Sequence, residues 1–274
     1  MNNFILDGLK RKIPPNPTIE LAEQILIEAK TAASITSIGG GSTIDIGKYI
    51  AWKLKISHTA IPTTAGTGSE VTKFAVFIKN GEKITFENND LIPNNYELDA
   101  SRILTLSPLH TLSSGLDALC QGIESYWSPR ATNESRHYAR LAFRTASKNL
   151  LSSYENPENE YLRMKMLYAA NYSGRAINIT RTSVCHAISY PLTIHYGIPH
   201  GIACAWTMPY FIDYFGFEFL KARQIVKILK KEKIYKNIDK DLIAREAMNY
   251  QGVKNTPKKV DYQTIKNSLW FIFQ

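Results

Sequence analysis

Cysteine is scarce in this sequence, and long apolar runs are missing from it. Only three cysteines occur among the 274 residues, and no two of them stand in a CxxC spacing. Such a chain has no disulfide framework, so we expect buried structural thiols and a reducing, cytoplasmic location. No stretch approaches the roughly 18 apolar residues of a membrane span, and residues 1–12 show no secretory signal. The sequence therefore predicts a protein without a membrane-spanning segment.

Nucleic-acid-binding motifs are also absent, although the net charge is +9. The basic residues are not interleaved with aromatic ones as they are in nucleic-acid-binding surfaces, so we expect no nucleic-acid partner. Lysines crowd the segment 221–259, which we interpret as a solvated helical face. The alternative is that the positive field attracts an anionic substrate.

The chain changes character near residue 106. Residues 1–105 alternate helical and strand patterns, whereas residues 106–274 carry long helical patterns with little strand signal. This order predicts an α/β, Rossmann-like cofactor-binding domain, followed by an all-helical domain for metal and substrate. Only the proline-rich segment 14–17 precedes the first clear helix, so we expect the first domain to lack its first strand–helix unit. The apolar end of the chain predicts that the helical domain is shortened as well.

A glycine triplet marks the first candidate cofactor site. A predicted strand runs into Gly39-Gly40-Gly41-Ser42, and a helical pattern that contains Asp45 follows. Glycines let the backbone approach a pyrophosphate, and the amides at the helix start attract its charge. Ser42 could serve both as the helix N-cap and as a phosphate donor. A plain loop is the alternative, because glycine triplets are common in loops.

A second loop, residues 62–70, is rich in hydroxyl side chains and glycines. A structural turn between two strands needs only two or three turn residues, so this density of hydroxyls favours a binding function. Such groups suit the phosphates and ribose of a cofactor. The residues that we assign to this site are Thr63, Thr64, Thr67 and Ser69.

Polar residues gather at two places in the helical half. Asp117 and Gln121 stand four apart in a helical pattern and share a face, with Glu124 flanking it. Later in the chain come His186, Tyr190, His195 and His200. One carboxylate and two imidazoles form a reasonable ligand set for a divalent metal. Each histidine taken alone is more often structural, so the residues by themselves leave both interpretations open.

Together, these motifs resemble the iron-containing alcohol dehydrogenase superfamily. The glycine triplet is similar to its GGGSxxDxxK element, and residues 62–72, PTTAGTGSEVT, are similar to its second cofactor loop. Residues 117–119 and 186–200 resemble its metal-binding elements. Lys83, just past a hairpin turn predicted at Asn80-Gly81, resembles a lysine that the family places near its cofactor.

The resemblance implies particular metal ligands and a catalytic group. Asp117, His186 and His200 would bind a divalent metal, iron(II) or zinc. Gln121 stands where most family members have a further histidine, and its amide oxygen would be a weaker ligand for these metals. Tyr190 stands where they have a proton-relay histidine, so we expect it to act as the catalytic residue that hydrogen-bonds to substrate. The resemblance also implies NAD(H) or NADP(H) as the cofactor.

The departures at Gln121 and Tyr190 resemble one branch of this superfamily, the phosphonoacetaldehyde reductases. Segments 117–128, 134–139 and 186–201 carry this likeness. It implies reduction of a small anionic aldehyde, phosphonoacetaldehyde, to 2-hydroxyethylphosphonate. The alternatives are a broader alcohol or aldehyde dehydrogenase of the same superfamily, and a truncated remnant without turnover. The sequence leaves the assembly open, with a homodimer as one alternative.

Overall fold

The computed structural model describes residues 2–219 and 238–271. Its first part contains the strands β1 (Asn3–Asp7), β2 (Ser34–Gly39), β3 (Ser57–Pro62), β4 (Phe74–Lys79), β5 (Glu82–Glu87) and β6 (Asn95–Tyr96). It also contains the helices α1 (Ile19–Ala29) and α2 (Gly41–Leu54). Four strands form a parallel sheet in the order β1-β2-β3-β6, and β4 and β5 form an antiparallel hairpin.

The register of the sheet brings the two predicted cofactor loops to one edge. Gly39 at the end of β2 pairs with Pro62 at the end of β3. The Thr63 amide then donates to the Gly39 carbonyl, with N and O 2.9 Å apart. Both loops therefore leave from the carboxyl ends of neighbouring parallel strands, which is where open α/β sheets bind their ligands.

The hairpin turn is found where the sequence predicts it. Asn80 and Gly81 join β4 to β5 and have positive φ angles, 52° and 79°. A two-residue turn needs this backbone to match the twist of its strands. Strand β4 begins at Phe74, after a short 3-10 helix, Ser69–Val71, that follows the second loop.

Helices make up the second part of the molecule. They are α3 (Pro108–Trp127), α4 (Asn133–Glu155), α5 (Glu160–Thr180), α6 (Val184–Tyr196), α7 (His200–Phe215), α8 (Lys240–Ala247) and α9 (Tyr262–Phe271). Helix α3 is central, because α4, α5 and α7 all pack against it. Its residues 115–125 are all buried. Polar side chains in this stretch must therefore find partners inside the protein.

The predicted fold class, an α/β part followed by helices, is confirmed. The sequence analysis misses two strands, β1 and β6. Because β1 pairs with β2 in parallel, a strand as well as a helix precedes the glycine triplet. The division at residue 106 and the shortening at both ends stay predictions.

Two stretches that carry sequence predictions lie outside the described residues. Residues 220–237 hold much of the lysine-rich segment, and residues 272–274 end the apolar tail. In the part of the chain that the structure describes, no helix has the length and apolar character needed to cross a membrane.

Candidate active site

Helix α3 carries three buried polar side chains, Asp117, Gln121 and Glu124. Each of these residues is at most 4% exposed. Their spacing of four and then three residues places them on one helical face, as the sequence predicts. The starts of α6 and α7 lie against this face and supply the two predicted histidines.

Glu124 fixes the start of α6 and the orientation of His186. Its carboxylate oxygens accept hydrogen bonds from the amides of Ser183, at 2.7 Å, and Cys185, at 2.6 Å. Its Oε2 also accepts from His186 Nδ1 at 2.6 Å. A carboxylate is favourable at a helix N-terminus, and this one leaves the Nε2 lone pair of His186 facing the other way. That Nε2 lies 3.2 Å from Asp117 Oδ1.

His200 is the first residue of α7, and Ser189 orients its ring. The Ser189 hydroxyl donates to the His186 carbonyl at 2.7 Å, so its oxygen is free to accept from His200 Nδ1 at 3.1 Å. His200 Nε2 then carries the lone pair and lies 3.8 Å from Asp117 Oδ1. Two imidazole lone pairs and a carboxylate oxygen thus converge.

Cys204 joins this group, which the sequence analysis does not predict. It lies one turn after His200 on α7, and its Sγ is 3.8 Å from His200 Nε2. One donor atom each from Asp117, His186, His200 and Cys204 lie within 4.8 Å of one another. Burial would raise the pKa of the Cys204 thiol, but the charges of His186 and His200 lower it to about 7. All three cysteines are buried and free, as predicted, but the surroundings of Cys204 are those of a ligand. We call these four residues the donor cluster.

Gln121 does not direct its amide oxygen at the donor cluster. Its Nε2 donates to Asp117 Oδ1 at 3.1 Å, and its Oε1 accepts from Ser173 Oγ at 2.8 Å. In this arrangement Gln121 holds Asp117 in place. The Ser173 hydroxyl also lies 2.8 Å from the Ala170 carbonyl oxygen, to which it can donate instead. The ligand role predicted for Gln121 therefore stays a prediction.

The electrostatics of the cluster favour a positive charge at its centre. Burial alone would lower the pKa of His186, but Cys204, Glu124 and Asp117 outweigh it and raise this pKa well above its usual value. Burial alone would raise the pKa of Asp117, but the hydrogen bond from His186 and the charge of His200 lower it. The buried carboxylate therefore stays ionised and the site draws a proton onto an imidazole, as expected of a cation site.

The donor spacing fits a divalent metal ion. Ligand atoms at about 2.0–2.3 Å from a tetrahedral metal lie about 3.3–3.8 Å from one another. Three close pairs within the donor cluster are 3.2 to 3.8 Å apart, and all four donor atoms lie within 4.8 Å of one another. Oxygen, nitrogen and sulfur donors together suit zinc or iron(II). The residues present therefore fit the metal that the sequence resemblance implies.

Tyr190 and Lys83 border the donor cluster. The ring of Tyr190 stacks on that of His200, with centroids 5.7 Å apart and planes inclined by 4°. Lys83 reaches over from β5, and its Nζ lies 3.4 Å from the centroid of the Tyr190 ring. Among the described residues, no ion pair engages Lys83. His195, which lies between the two histidines of the cluster in sequence, instead pairs with Glu246 at 2.9 Å and takes no part.

The glycine triplet ends β2 and begins α2, as the sequence predicts. Gly40 is the N-cap of this helix, and no side chain hydrogen-bonds to the first turn as a cap. The prediction of Ser42 as N-cap is therefore wrong, since Ser42 lies inside the first turn. The first amides of a helix have no partner within it, so they remain able to bind a phosphate.

The two predicted cofactor loops lie against each other. A Cβ on Gly41 would come within 2.8 Å of the Thr67 side chain, and one on Gly40 within 3.3 Å of the Thr64 side chain. The predicted set of Gly39, Gly40, Gly41, Ser42, Thr63, Thr64 and Thr67 is thus collected at one end of the sheet. Their contact with a cofactor stays a prediction.

Asp45 and Ser69 bind each other. Asp45 Oδ1 accepts from Ser69 Oγ at 2.5 Å, and Oδ2 accepts from the Val76 amide at 3.0 Å. The fully buried Lys48 lies 3.5 Å from Asp45 and donates to the Phe74 carbonyl at 2.8 Å. These contacts give both residues a structural role in holding the second loop. The cofactor contact predicted for them stays a prediction.

Helix α3 connects the second loop with the donor cluster. A Cβ on Gly66 would lie 2.9 Å from the Ser114 carbonyl oxygen. A Cβ on Gly201, the residue after the first of α7, would lie 1.8 Å from the Ser113 carbonyl oxygen and 2.8 Å from the Asp117 amide. Only glycine permits approaches this close. The loop and the cluster therefore contact adjacent residues of one helix.

Two functional residues escape the sequence analysis. Cys204 stands four residues after His200, which is the helical spacing that puts both on one face, and this signal is readable in the sequence. Glu124 stands seven after Asp117 and flanks the predicted metal face, yet the sequence analysis gives it no role. Ser173, which contacts Gln121, and Ser189, which orients His200, have no sequence pattern that predicts these contacts.

Comparison with known proteins groups these features with a family. The family model for iron-containing alcohol dehydrogenase matches residues 6–99. The model for the C-terminal part of the Fe-containing alcohol dehydrogenase family matches residues 111–236. The first match contains the two cofactor loops, and the second contains the donor cluster.

Individual relatives agree with this grouping. A phosphonoacetaldehyde reductase from Streptomyces viridochromogenes is 40% identical over 158 residues, 57% of this chain and 40% of that protein. A 1-propanol dehydrogenase from Salmonella typhimurium is 32% identical over 204 residues, 71% of this chain and 55% of that protein. The chain thus spans less than two thirds of the length of either relative. An iron-containing alcohol dehydrogenase from Thermotoga maritima superposes with a TM-score of 0.85 and 25% identity, covering 99% of this chain and 92% of that one. This chain belongs to the iron-containing alcohol dehydrogenase family.

Proposed function

We propose that this chain reduces a small aldehyde with NAD(P)H and a divalent metal, and that phosphonoacetaldehyde is its substrate. The observation that carries the proposal is the convergence of Asp117, His186 and His200 on one point. This point lies beside the helix that also contacts the second cofactor loop. A metal site next to a dinucleotide site is the arrangement that metal-assisted hydride transfer requires.

The residues of the chain divide the work of this reaction. When bound, the nicotinamide supplies hydride and the metal polarises the carbonyl oxygen of the substrate. Asp117, His186 and His200 hold the metal, and Glu124 keeps the His186 lone pair directed towards it. The start of α2 binds the pyrophosphate of the cofactor through its free amides.

Tyr190 is the residue that we assign to proton delivery. Its ring is parallel to that of His200, with centroids 5.7 Å apart, so the side chain borders the donor cluster. Within the described part of the chain, no side chain or backbone group hydrogen-bonds to this hydroxyl. It is therefore available to a substrate alkoxide, as an O–H donor that needs no charge of its own.

Lys83 supports an anionic substrate. Its ammonium group lies over Tyr190, beside the donor cluster, and has no carboxylate partner among the described residues. The phosphonate of the substrate, which one methylene separates from the aldehyde carbon, would supply the missing partner. The 40% identity to a phosphonoacetaldehyde reductase points to the same class of substrate.

The test is turnover of phosphonoacetaldehyde against propanal, with NADH and with NADPH, by protein loaded with iron(II) or zinc. We expect kcat/KM for phosphonoacetaldehyde to exceed that for propanal by about tenfold or more, the value of one charge-assisted hydrogen bond. Equal rates would replace the proposed substrate with a broad alcohol and aldehyde dehydrogenase activity. Folded, metal-loaded protein that reduces no aldehyde would overturn the proposed function altogether.

A further inference from the structure

We propose that Cys204 is the fourth metal-binding residue of this chain and takes the place of the histidine that Gln121 replaces. The proposal rests on the proposed metal-dependent function and deepens it. It assigns a sulfur ligand to a site for which the sequence analysis predicts only oxygen and nitrogen ligands.

The first support is the position of the sulfur. Cys204 Sγ lies 3.8 Å from His200 Nε2, and His200 and Cys204 are one helical turn apart on α7. Two ligands on one tetrahedral zinc, a nitrogen at about 2.0 Å and a sulfur at about 2.3 Å, stand about 3.6 Å apart. The sulfur therefore lies where a metal ion bound to both His200 and Cys204 would hold it.

The second support is the set of lone pairs around that position. Glu124 accepts from Nδ1 of His186, and Ser189 accepts from Nδ1 of His200, so each ring presents its Nε2 lone pair to the cluster. The facing atom is the carboxylate oxygen of Asp117, at 3.2 Å and 3.8 Å. Acceptors that face one another inside a protein need a cation or a proton between them.

The third support is the hydrogen bonding of the Gln121 amide. Its oxygen accepts from Ser173, and its nitrogen donates to Asp117. The rival arrangement turns the amide over, so that Nε2 donates to Ser173 and Oε1 faces the metal. An amide oxygen is a hard ligand, whereas zinc and cobalt(II) favour a thiolate, so Cys204 is the stronger of the two candidates.

The chain offers a matched control for the proposed sulfur ligand. Cys185, like Cys204, is fully buried and lies at the start of a helix that supplies a cluster histidine. Its sulfur is not among the donor atoms that converge. A Cys185→Ser variant therefore removes a buried thiol nearby without touching the proposed ligand set.

The experiment is the absorption spectrum of the cobalt(II)-loaded full chain. We expect visible ligand-field bands together with a near-ultraviolet sulfur-to-cobalt charge-transfer band. Cys204→Ser should lose the charge-transfer band. It should also bind zinc at least about 10- to 100-fold more weakly, because that is the loss seen when a residue that hydrogen-bonds to a metal ligand is removed. Cys185→Ser and Gln121→Leu should keep the charge-transfer band.

The outcomes separate this inference from the proposed function. Ligand-field bands without charge transfer in the wild-type chain would overturn the role of Cys204 and leave the metal-dependent function standing. Failure of the folded wild-type chain to bind any divalent metal would overturn both. If Cys204→Ser does not fold, X-ray absorption of the zinc-loaded wild-type chain gives the answer. A sulfur at about 2.3 Å supports the assignment, and a shell of oxygen and nitrogen alone contradicts it.

Discussion

Two clusters of buried and partly buried charged side chains lie in the two halves of this molecule, and they differ in how their polar atoms are paired. In the α/β part, Lys48 sits beside Asp45, and every polar atom of that carboxylate has a hydrogen-bond donor. In the helical part, Asp117 faces two imidazole lone pairs. The first cluster is complete within the protein, whereas the second is the one for which we propose a bound cation.

This difference separates a structural cluster from a binding site more reliably than residue type does. Each cluster has a fully buried member, and each contains an aspartate of a motif found in the sequence. What distinguishes them is whether donors and acceptors match inside the protein, because an unmatched buried acceptor is costly. We therefore expect Asp45 to contribute mainly to stability, and we propose Asp117 as a metal ligand.

The largest expected effect is that of Asp117→Ala on metal binding and turnover. The substitution removes the carboxylate, which is the one negatively charged oxygen ligand that we assign to the metal. Because metal polarisation supplies several kcal/mol, we expect turnover to fall on the order of 1,000-fold or more. Metal content by mass spectrometry and aldehyde reduction are the measurements. His195→Ala is the control, since this histidine lies outside the cluster, and equal losses in the two variants would contradict the assignment.

The second expected effect breaks the other cluster. Asp45→Ala leaves the Lys48 ammonium buried without its carboxylate and the Ser69 hydroxyl without its acceptor. We expect a loss of about 3–5 kcal/mol in the free energy of unfolding, measured in urea, with metal content unchanged. The control is Asp90→Ala on the surface, which should cost less than about 0.5 kcal/mol. An Asp45→Ala chain of normal stability that binds cofactor weakly would restore the predicted cofactor role.

The third expected effect concerns the positive charge beside the donor cluster. Lys83→Met removes the unpaired cation beside the donor cluster. We expect kcat/KM for phosphonoacetaldehyde to fall about 10- to 100-fold, as for the loss of one charged hydrogen bond, with propanal unaffected. Lys79→Met on the same hairpin is the matched control. If both aldehydes lose activity equally, Lys83 acts on the cofactor, as the sequence resemblance implies.

Local patterns were sufficient to predict much of the fold. Helix α2 follows a glycine triplet, and the β4–β5 hairpin surrounds Asn80-Gly81, so neighbouring residues carry the signal. Strand β1 gives no such signal, because only Leu6 in it is fully buried and its alternation is too short to recognise. Strand β6 has two residues, too few for any periodicity.

The sequence predicts those residues of the site that belong to local motifs, but not the contacts that depend on residues far away in the chain. His186 and His200 come from motif spacing, and the structure brings them to Asp117 as expected. The orientation of Gln121 depends on Ser173, 52 residues away in sequence, so no local pattern reports it. Cys204 stands one helical turn after His200, a spacing readable in the sequence, but its apolar helix makes it look equally like a core residue until α7 is placed against α3.

The fourth expected effect concerns the contact between the two cofactor loops. A methyl group on Gly41 would come within 2.8 Å of the Thr67 side chain and push the loops apart. We expect Gly41→Ala to raise KM for the nicotinamide cofactor about tenfold, since about 1.4 kcal/mol of strain corresponds to that factor, with metal content unchanged. Thr67→Ala provides the baseline. The double variant should recover most of the loss, and a double variant no better than Gly41→Ala would show that the two loops are not in contact.

The smallest expected effect tests the α/β cluster through pH. Burial lowers the pKa of Lys48 from 10.5 to about 8, although Asp45 and Glu70 act in the opposite direction. Between these two values the unfolded chain binds a proton that the folded chain does not, so stability should rise with pH across this window and lose that contribution as pH falls through about 8. The slope is at most about 1.4 kcal/mol per pH unit. Urea unfolding from pH 8 to 10 should therefore be flatter for Lys48→Met than for the wild type, whereas Lys53→Met on the exposed side of α2 should keep the wild-type slope. Parallel curves for Lys48→Met and the wild type would mean that burial does not lower the pKa of Lys48. The hydrogen bonds of the α/β cluster would then have no desolvation cost of this ammonium group to offset.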